Sequence, residues 1–307
     1  MPNPSADNEH AATWDPEVLE RIRHLHLRAR HAVKSLVHGG HRSIRVGAGV
    51  EFADYRDYHP GDPLRDLDWK VAARTDRLVV RRQVTETELS CTLVIDASGD
   101  LGTGVSKRPD LERDKLGYAI CLAATLATFI HHQGDPVGLA IIAGDSVRWP
   151  WIPPRRGRAH LAQVFGALAS LKAGGRANLE EAFRQVGARL GPSPLVVVIS
   201  DLMEEPDSWG SALAWLSQGS ADLRVVHLHD PREWSLDYSS SARFWSPEGG
   251  PSLPVDPHEA RGPFREVVDE YIAEVRQHLS AHQSLYISGP CTTPLEVVLG
   301  ELIQDRS

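Results

Sequence analysis

Cys91-Thr-Leu-Val-Ile-Asp96 and Leu195-Val-Val-Val-Ile-Ser-Asp201 are the two stretches whose reading decides the fold of this chain. Each is a short β-branched apolar run that ends in a carboxylate. A continuous apolar run, unlike an alternating one, marks a strand covered on both faces, as in parallel sheets under helices. Outward from these runs the pattern alternates. Helical spacing extends from Leu111 to Gln133, followed by a strand at Val137–Ala143, an edge strand at Ser146–Ile152 and a helix at Ala159–Leu171. Gly174-Gly175 breaks the chain, and a helix from Leu179 to Leu190 leads into the second acid-ended strand. Beyond it lie a helix at Ser208–Ser217, a strand at Leu223–Leu228, a long helix at Pro263–His282, a strand at Leu285–Ser288 and a helix at Thr293–Gln304. Such alternation predicts an α/β fold with a mostly parallel central sheet and helices on both faces. In open sheets of this kind ligands gather at the carboxyl ends of the strands. Asp96 and Asp201 are therefore expected at one shared rim.

Ahead of the sheet, Pro16 suits a first helical position and Gly39-Gly40 a helix end, so a helix is expected from Asp15 to His38. Val18, Ile22, Leu25, Ala29, Val33 and Leu36 give it one apolar stripe. Arg21, Arg23, Arg28, Arg30 and Lys34 form the other face, which reads either as a solvated surface or as a dock for an acidic partner. The chain divides into an N-terminal helical segment at 1–40, a compact β/α segment at 41–88 and the α/β domain at 89–307. A Ser-, Pro- and Gly-rich loop or small hairpin is inserted near 232–255.

Composition narrows the class. The 307 residues carry a net charge of -8 and are 41% hydrophobic, which suits a globular protein and argues against a nucleic-acid surface. Met1 to Asp15 lacks the pattern of a secretory signal, and the longest apolar run, Tyr118–Ile130, is too short to span a bilayer. Three cysteines, Cys91, Cys121 and Cys291, lie far apart without metal-site spacing. They read as reduced thiols, and a cytoplasmic location is the expectation.

Asp96, Ser98 and Asp100 form a D-x-S-x-D loop after the first acid-ended strand. Oxygens at alternate positions can converge on a hard cation. Together with Asp201 the loop resembles the metal-ion-dependent adhesion site of von Willebrand factor A domains, D-x-S-x-S with a later Thr and a later Asp. Two departures weaken the likeness. Asp100 stands at the last serine position, and Ala177 in Gly174-Gly-Arg-Ala-Asn-Leu179 stands where the Thr would be. The resemblance implies a degenerate site in which Asp96, Ser98, Asp100 and Asp201 would hold Mg2+ (or Mn2+ or Ca2+) weakly, or not at all.

The stretch from Gly47 to Thr75 is more specific: G-x-G-x-E-F-x-D-Y-R-x-Y-x-P-G-D, then R-x-x-D-W-K-x-x-A-R-T. It resembles the signature of the family known as domain of unknown function 58, whose members are von Willebrand factor A-like bacterial proteins commonly encoded beside a MoxR-type AAA+ ATPase. Within it, Glu51, Asp54, Asp62, Asp66 and Asp68 face Arg56, Arg65, Lys70 and Arg74, with Tyr55, Tyr58 and Trp69 between them. Arginine forks pair with carboxylates and stack on rings. The cluster is either a buried brace or a partly exposed dock. Arg56, Arg65, Asp68, Trp69 and Arg74 are the docking candidates, joined by Arg155 and Arg156 of the Pro153–Arg158 turn.

No phosphate-cradling loop, nucleophile elbow or H-E-x-x-H motif is present. The expected function is a non-enzymatic adaptor that works with a MoxR-type AAA+ ATPase on client proteins, in assembly, maturation or stress response. Two alternatives are a metal-dependent adhesion-type ligand-binding module and, further off, a metal-assisted hydrolase built on Asp96, Asp100 and Asp201.

Overall fold

The computed structural model describes residues 16–38, 52–58, 71, 73–74, 77–83, 90–103, 114–142, 150–236, 238, 242–246, 249 and 252–303. The chain forms two compact units, 45–89 and a larger one made of 1–44 with 90–307.

In chain order the described elements begin with α1 (Pro16–His38), β1 (Phe52–Asp57), β2 (Val79–Gln83) and β3 (Cys91–Asp96). There follow a 3-10 turn at Gly99–Gly102, α2 (Lys115–Gln133), β4 (Val137–Ile142), β5 (Trp151–Arg155), α3 (Arg158–Ala169), α4 (Leu179–Gly187) and β6 (Leu195–Ser200). The remainder comprises α5 (Pro206–Gly210), α6 (Leu213–Leu216), β7 (Asp222–His229), α7 (Pro231–Ser235), β8 (Ala242–Phe244), β9 (Leu253–Val255), α8 (Pro257–Ala281), β10 (Leu285–Pro290) and α9 (Leu295–Ile303).

The smaller unit contains an antiparallel pair, β1 with β2, bulged between Phe52 and Asp54. The larger unit is built on a six-stranded sheet in the order β10-β7-β6-β3-β4-β5. All neighbours pair in parallel except β5, which runs antiparallel at the edge. This is the α/β architecture expected, with a mostly parallel sheet and helices on both faces.

Strand alternation divides the core into two layers. Leu93, Ile95, Val197, Ile199, Val226 and Leu228 point to one face, where α1, α2, α3 and α9 cover them. Val94, Val196, Val198, Leu223 and Val225 point to the other, under α4, α5, α6 and α8. Helix α2 is buried continuously from Lys115 to Ile130, because the sheet lies on one side of it and α1 packs on the other. Its apolar sequence on all sides is the signature of such a sandwiched helix. Leu25, Ala29, Ala32 and Val33 join α1 to this layer, so the N-terminal helix belongs to the larger unit.

Three elements differ most from the sequence reading. The edge strand lies at Trp151–Arg155 and includes Pro153 and Pro154; residues 143–149 fall outside the described ones. Prolines are tolerated on an edge strand, where they also discourage pairing with another chain. The long helix starts at Pro257, six residues before Pro263, with Asp256 accepting the His258 N–H as its cap. The helix expected at Ser208–Ser217 is two short ones, α5 and α6. The 232–255 insertion holds the rest of α7 and the β8–β9 hairpin.

Candidate functional site at the carboxyl edge of the sheet

The chain leaves β3 for β4 on one side, makes the edge strand, and returns to β6 on the other side of β3. The ends of β3 and β6 thus flank the point where the winding reverses, the usual crevice of an open α/β sheet. Asp96 ends β3 and Asp201 follows β6, so both stand at that rim.

Asp96 is buried and fully engaged. Its Oδ1 accepts the Ser98 N–H at 2.8 Å and its Oδ2 accepts the Ser200 hydroxyl at 2.7 Å. Burial, reinforced by the neighbouring Asp201, pushes its carboxyl up to about 7 against the pull of those hydrogen bonds. The Ser200 hydroxyl also accepts the Leu202 N–H, and the Tyr271 hydroxyl donates to the Leu202 carbonyl. These two bonds hold Leu202 in the left-handed region, at φ 50°. The turn buries Leu202 and leaves Met203, the next residue, 58% exposed.

Asp201 meets a residue the sequence reading did not single out. Lys115, in the first turn of α2, donates from Nζ to Asp201 Oδ2 at 2.9 Å and to Glu233 Oε2 at 2.8 Å. Only 3% of the Lys115 side chain and 3% of the Asp201 side chain are exposed, whereas Glu233 on α7 is half-buried. Burial works against the lysine charge, but Asp201 and Glu233 outweigh it and hold the ammonium above its ordinary value. Burial likewise pushes the Asp201 carboxyl up, with Lys115 pulling against it. Thr103 ties the outer side, donating to Glu233 Oε1 at 2.8 Å. Asp100, in the 3-10 turn, feels the same ammonium; burial raises its carboxyl and Lys115 and Arg176 lower it.

The loop that lacks the threonine is docked here too. Gly174 N–H donates to Ala97 O at 3.0 Å and Gly99 N–H to Gly175 O at 2.9 Å, so Gly174–Asn178 lies against the D-x-S-x-D loop. Ala177 is partly buried against the apolar layer. Asn178 caps α4 by accepting the Glu181 N–H, and Glu204 accepts the Leu179 N–H.

Behind the rim, His227 bridges Asp201 O at 3.0 Å and the Tyr286 hydroxyl at 2.8 Å. Burial, with help from His229, drops it to about 3, so it is neutral. His229 stacks on Trp234 with ring centroids 3.6 Å apart. Both histidines serve packing here, His227 through its two hydrogen bonds and His229 through the stacked ring.

Asp96, Ser98, Asp100 and Asp201 are thus brought to one rim. Whether they suit a divalent ion is a matter of free oxygens and charge. Among the described residues, no three or more His, Cys, Asp or Glu side chains are placed to hold a metal ion. Both Asp96 oxygens already accept hydrogen bonds, and an ammonium lies against Asp201. The residues present do not fit the group.

Of the docking candidates, Arg65, Asp68 and Trp69 lie outside the described residues. Arg56 is placed by backbone in β1, opposite Val80. Arg74, Arg155 and Arg156 are exposed, and Arg156 donates to Gly134 O at 2.6 Å. The three cysteines are buried thiols outside any disulfide. No described helix is long and apolar enough to cross a membrane.

Residues 54–278 match the family described as protein of unknown function DUF58. The chain belongs to the DUF58 family. The DUF58 match begins in β1 and ends in α8, so it takes in both the hairpin and the rim. The chain is 30% identical over 230 residues to an uncharacterised protein of Mycobacterium tuberculosis, covering 72% of this chain and 68% of the relative. Among solved structures it is similar to an aerotolerance-related membrane protein of Bacteroides fragilis, at 15% identity and a TM-score of 0.45, covering 70% of this chain and 96% of that one. It is similar also to the VWA domain of SpRpn10, at 12% identity and a TM-score of 0.38, covering 69% and 93% of the two chains.

Proposed function

We propose that this DUF58 chain is a cytoplasmic, non-enzymatic adaptor that docks a MoxR-type AAA+ ATPase, or the clients it remodels, through the carboxyl rim of its sheet. The observation that carries the reading is the build of that rim. Buried acids are neutralised from within by Lys115, while Met203, on the turn after β6, stands exposed. A preorganised, partly apolar edge of this kind favours binding a protein surface, since little ordering remains to be done on association. The family signature, with its usual ATPase neighbour, supplies the kind of partner. Arg155 and Arg156 lie beside Val137 and Gly134 at the amino end of the sheet, away from this rim.

The test is direct binding of the purified full chain to the MoxR-type ATPase encoded in the same genome, by biolayer interferometry with and without ATP. Saturable binding in the micromolar range, with a changed ATPase rate, is the expected result. Absence of any association at tens of micromolar in either nucleotide state overturns the reading.

A further inference from the structure

We infer that the Lys115 side chain takes the place of a divalent cation at the rim, so that this site is completed by a tethered ammonium and works without a metal ion. The inference stands whether or not the chain docks an ATPase.

Three independent placements carry it. Lys115 is delivered by the first turn of α2, with the Asp114 side chain capping the helix by accepting the Gly117 N–H. The ammonium therefore rides on a rigid, buried helix rather than on a loop. It bonds carboxylates from two different parts of the chain, Asp201 after β6 and Glu233 on α7, at 2.9 and 2.8 Å. A bridging ion does the same: one positive centre fastens acids from separate elements. Finally, part of the oxygen set a hard cation would need is spent or missing. Asp96 gives both of its oxygens to Ser98 and Ser200, and Ala177 offers no side-chain oxygen. A hard cation takes six or more oxygen ligands, whereas an ammonium needs three acceptors at most. With Lys115 in place, the rim supplies what the ammonium needs and not what the cation needs.

The charge balance agrees with this substitution. A carboxylate bonded to a buried lysine cannot also ligate an ion without bringing two positive centres together at low dielectric. Removing the ammonium should free the Asp201 and Glu233 oxygens it holds and leave them uncompensated, with Asp100 nearby, so that a divalent ion carrying its own waters can then enter.

The experiment is a Mn2+ titration of the full chain, read by the loss of the free-ion electron paramagnetic resonance signal and by thermal melting. Wild type, Lys115→Met and Lys115→Met/Asp201→Asn are compared. Wild type should show no saturable Mn2+ site and a melting curve unmoved by EDTA. Lys115→Met should gain one saturable site and a Mn2+-dependent rise in melting temperature, both lost again in the double variant. If Lys115→Met does not fold alone, millimolar Mn2+ should restore its native circular dichroism. A saturable Mn2+ site in wild type that Asp96→Asn abolishes overturns the inference. So does a Lys115→Met protein that neither binds Mn2+ when folded nor is rescued by it when unfolded.

Discussion

Lys115 Nζ lies 2.9 Å from Asp201 Oδ2, and the two side chains are sealed from water to the same degree, 3% exposed each. Eighty-six residues separate them in sequence. Their pairing fastens the start of α2 to the turn after β6. Both charges have given up their hydration, so neither can lose the other cheaply.

Lys115→Met should therefore destabilise the chain by about 3–5 kcal/mol, because it strands the buried Asp201 carboxylate. The double variant Lys115→Met/Asp201→Asn should cost much less than the sum of the two single changes. Urea unfolding of all four proteins gives the coupling directly. Additive losses would mean that the pair contributes nothing beyond its separate parts.

Asp96→Asn should change the pH dependence of stability. The Asp96 carboxyl moves from an unfolded value of 3.8 to about 7 when folded. Between these values the folded state holds a proton that the unfolded state has released. Its contribution is thus greatest below about pH 4 and is lost as pH rises through about 7. Relative to the Asn variant, wild type should lose stability across that window and stay level above it. Parallel stability curves from pH 4 to 8 would contradict the buried, Asp201-facing environment described above.

Trp209 anchors the second apolar layer, fully buried, edge-on to Phe183 and donating its indole N–H to Glu204 O at 3.1 Å. Trp209→Ala should cost about 3–5 kcal/mol. Trp209→Phe keeps most of the packing, so its smaller loss, about 1–2 kcal/mol, reports the orphaned Glu204 carbonyl. Thermal or urea melts distinguish the two.

Gly138 lies in β4 where the edge strand crosses closely. A Cβ there would meet Ile152 O and Pro154 N at 2.7 Å, and neither is a side chain that can swing away. Gly138→Ala should destabilise by about 1–3 kcal/mol through overpacking against backbone. An unchanged melting temperature would mean that the edge strand moves freely.

On the proposed docking mode, Met203→Asp should weaken association with the ATPase or client while leaving the melting temperature nearly unchanged. Its side chain is 58% exposed on the outer side of a turn held by Ser200 and Tyr271. Surface substitutions of this kind stay within about 0.5 kcal/mol in stability. Equal binding by the variant would move the docking surface away from the rim.

Much of the architecture was legible locally. The runs at 91–96 and 195–201 announce doubly covered strands because every residue in them must satisfy two apolar layers. A carboxylate at the end of each marks where the layers stop and water begins. The shared rim of Asp96 and Asp201 follows from that and from the winding rule. Element ends were less legible where proline has two uses: Pro263 reads as a helix start but lies inside α8, and Pro153-Pro154 reads as a strand end but lies within β5.

The sequence by itself determined the sheet, its covering helices and the acids at its edge, since these depend on patterns within a dozen neighbouring residues. Only the tertiary structure decided what neutralises those acids. Lys115 reads as one more residue of an apolar helix, Glu233 as part of a polar insertion and Ser200 as the end of a strand. They reach Asp201, Lys115 and Asp96 across 86, 118 and 104 residues. Charge pairing over such separations leaves no periodicity in the chain, because Coulombic attraction depends on distance through space and is blind to distance along the sequence.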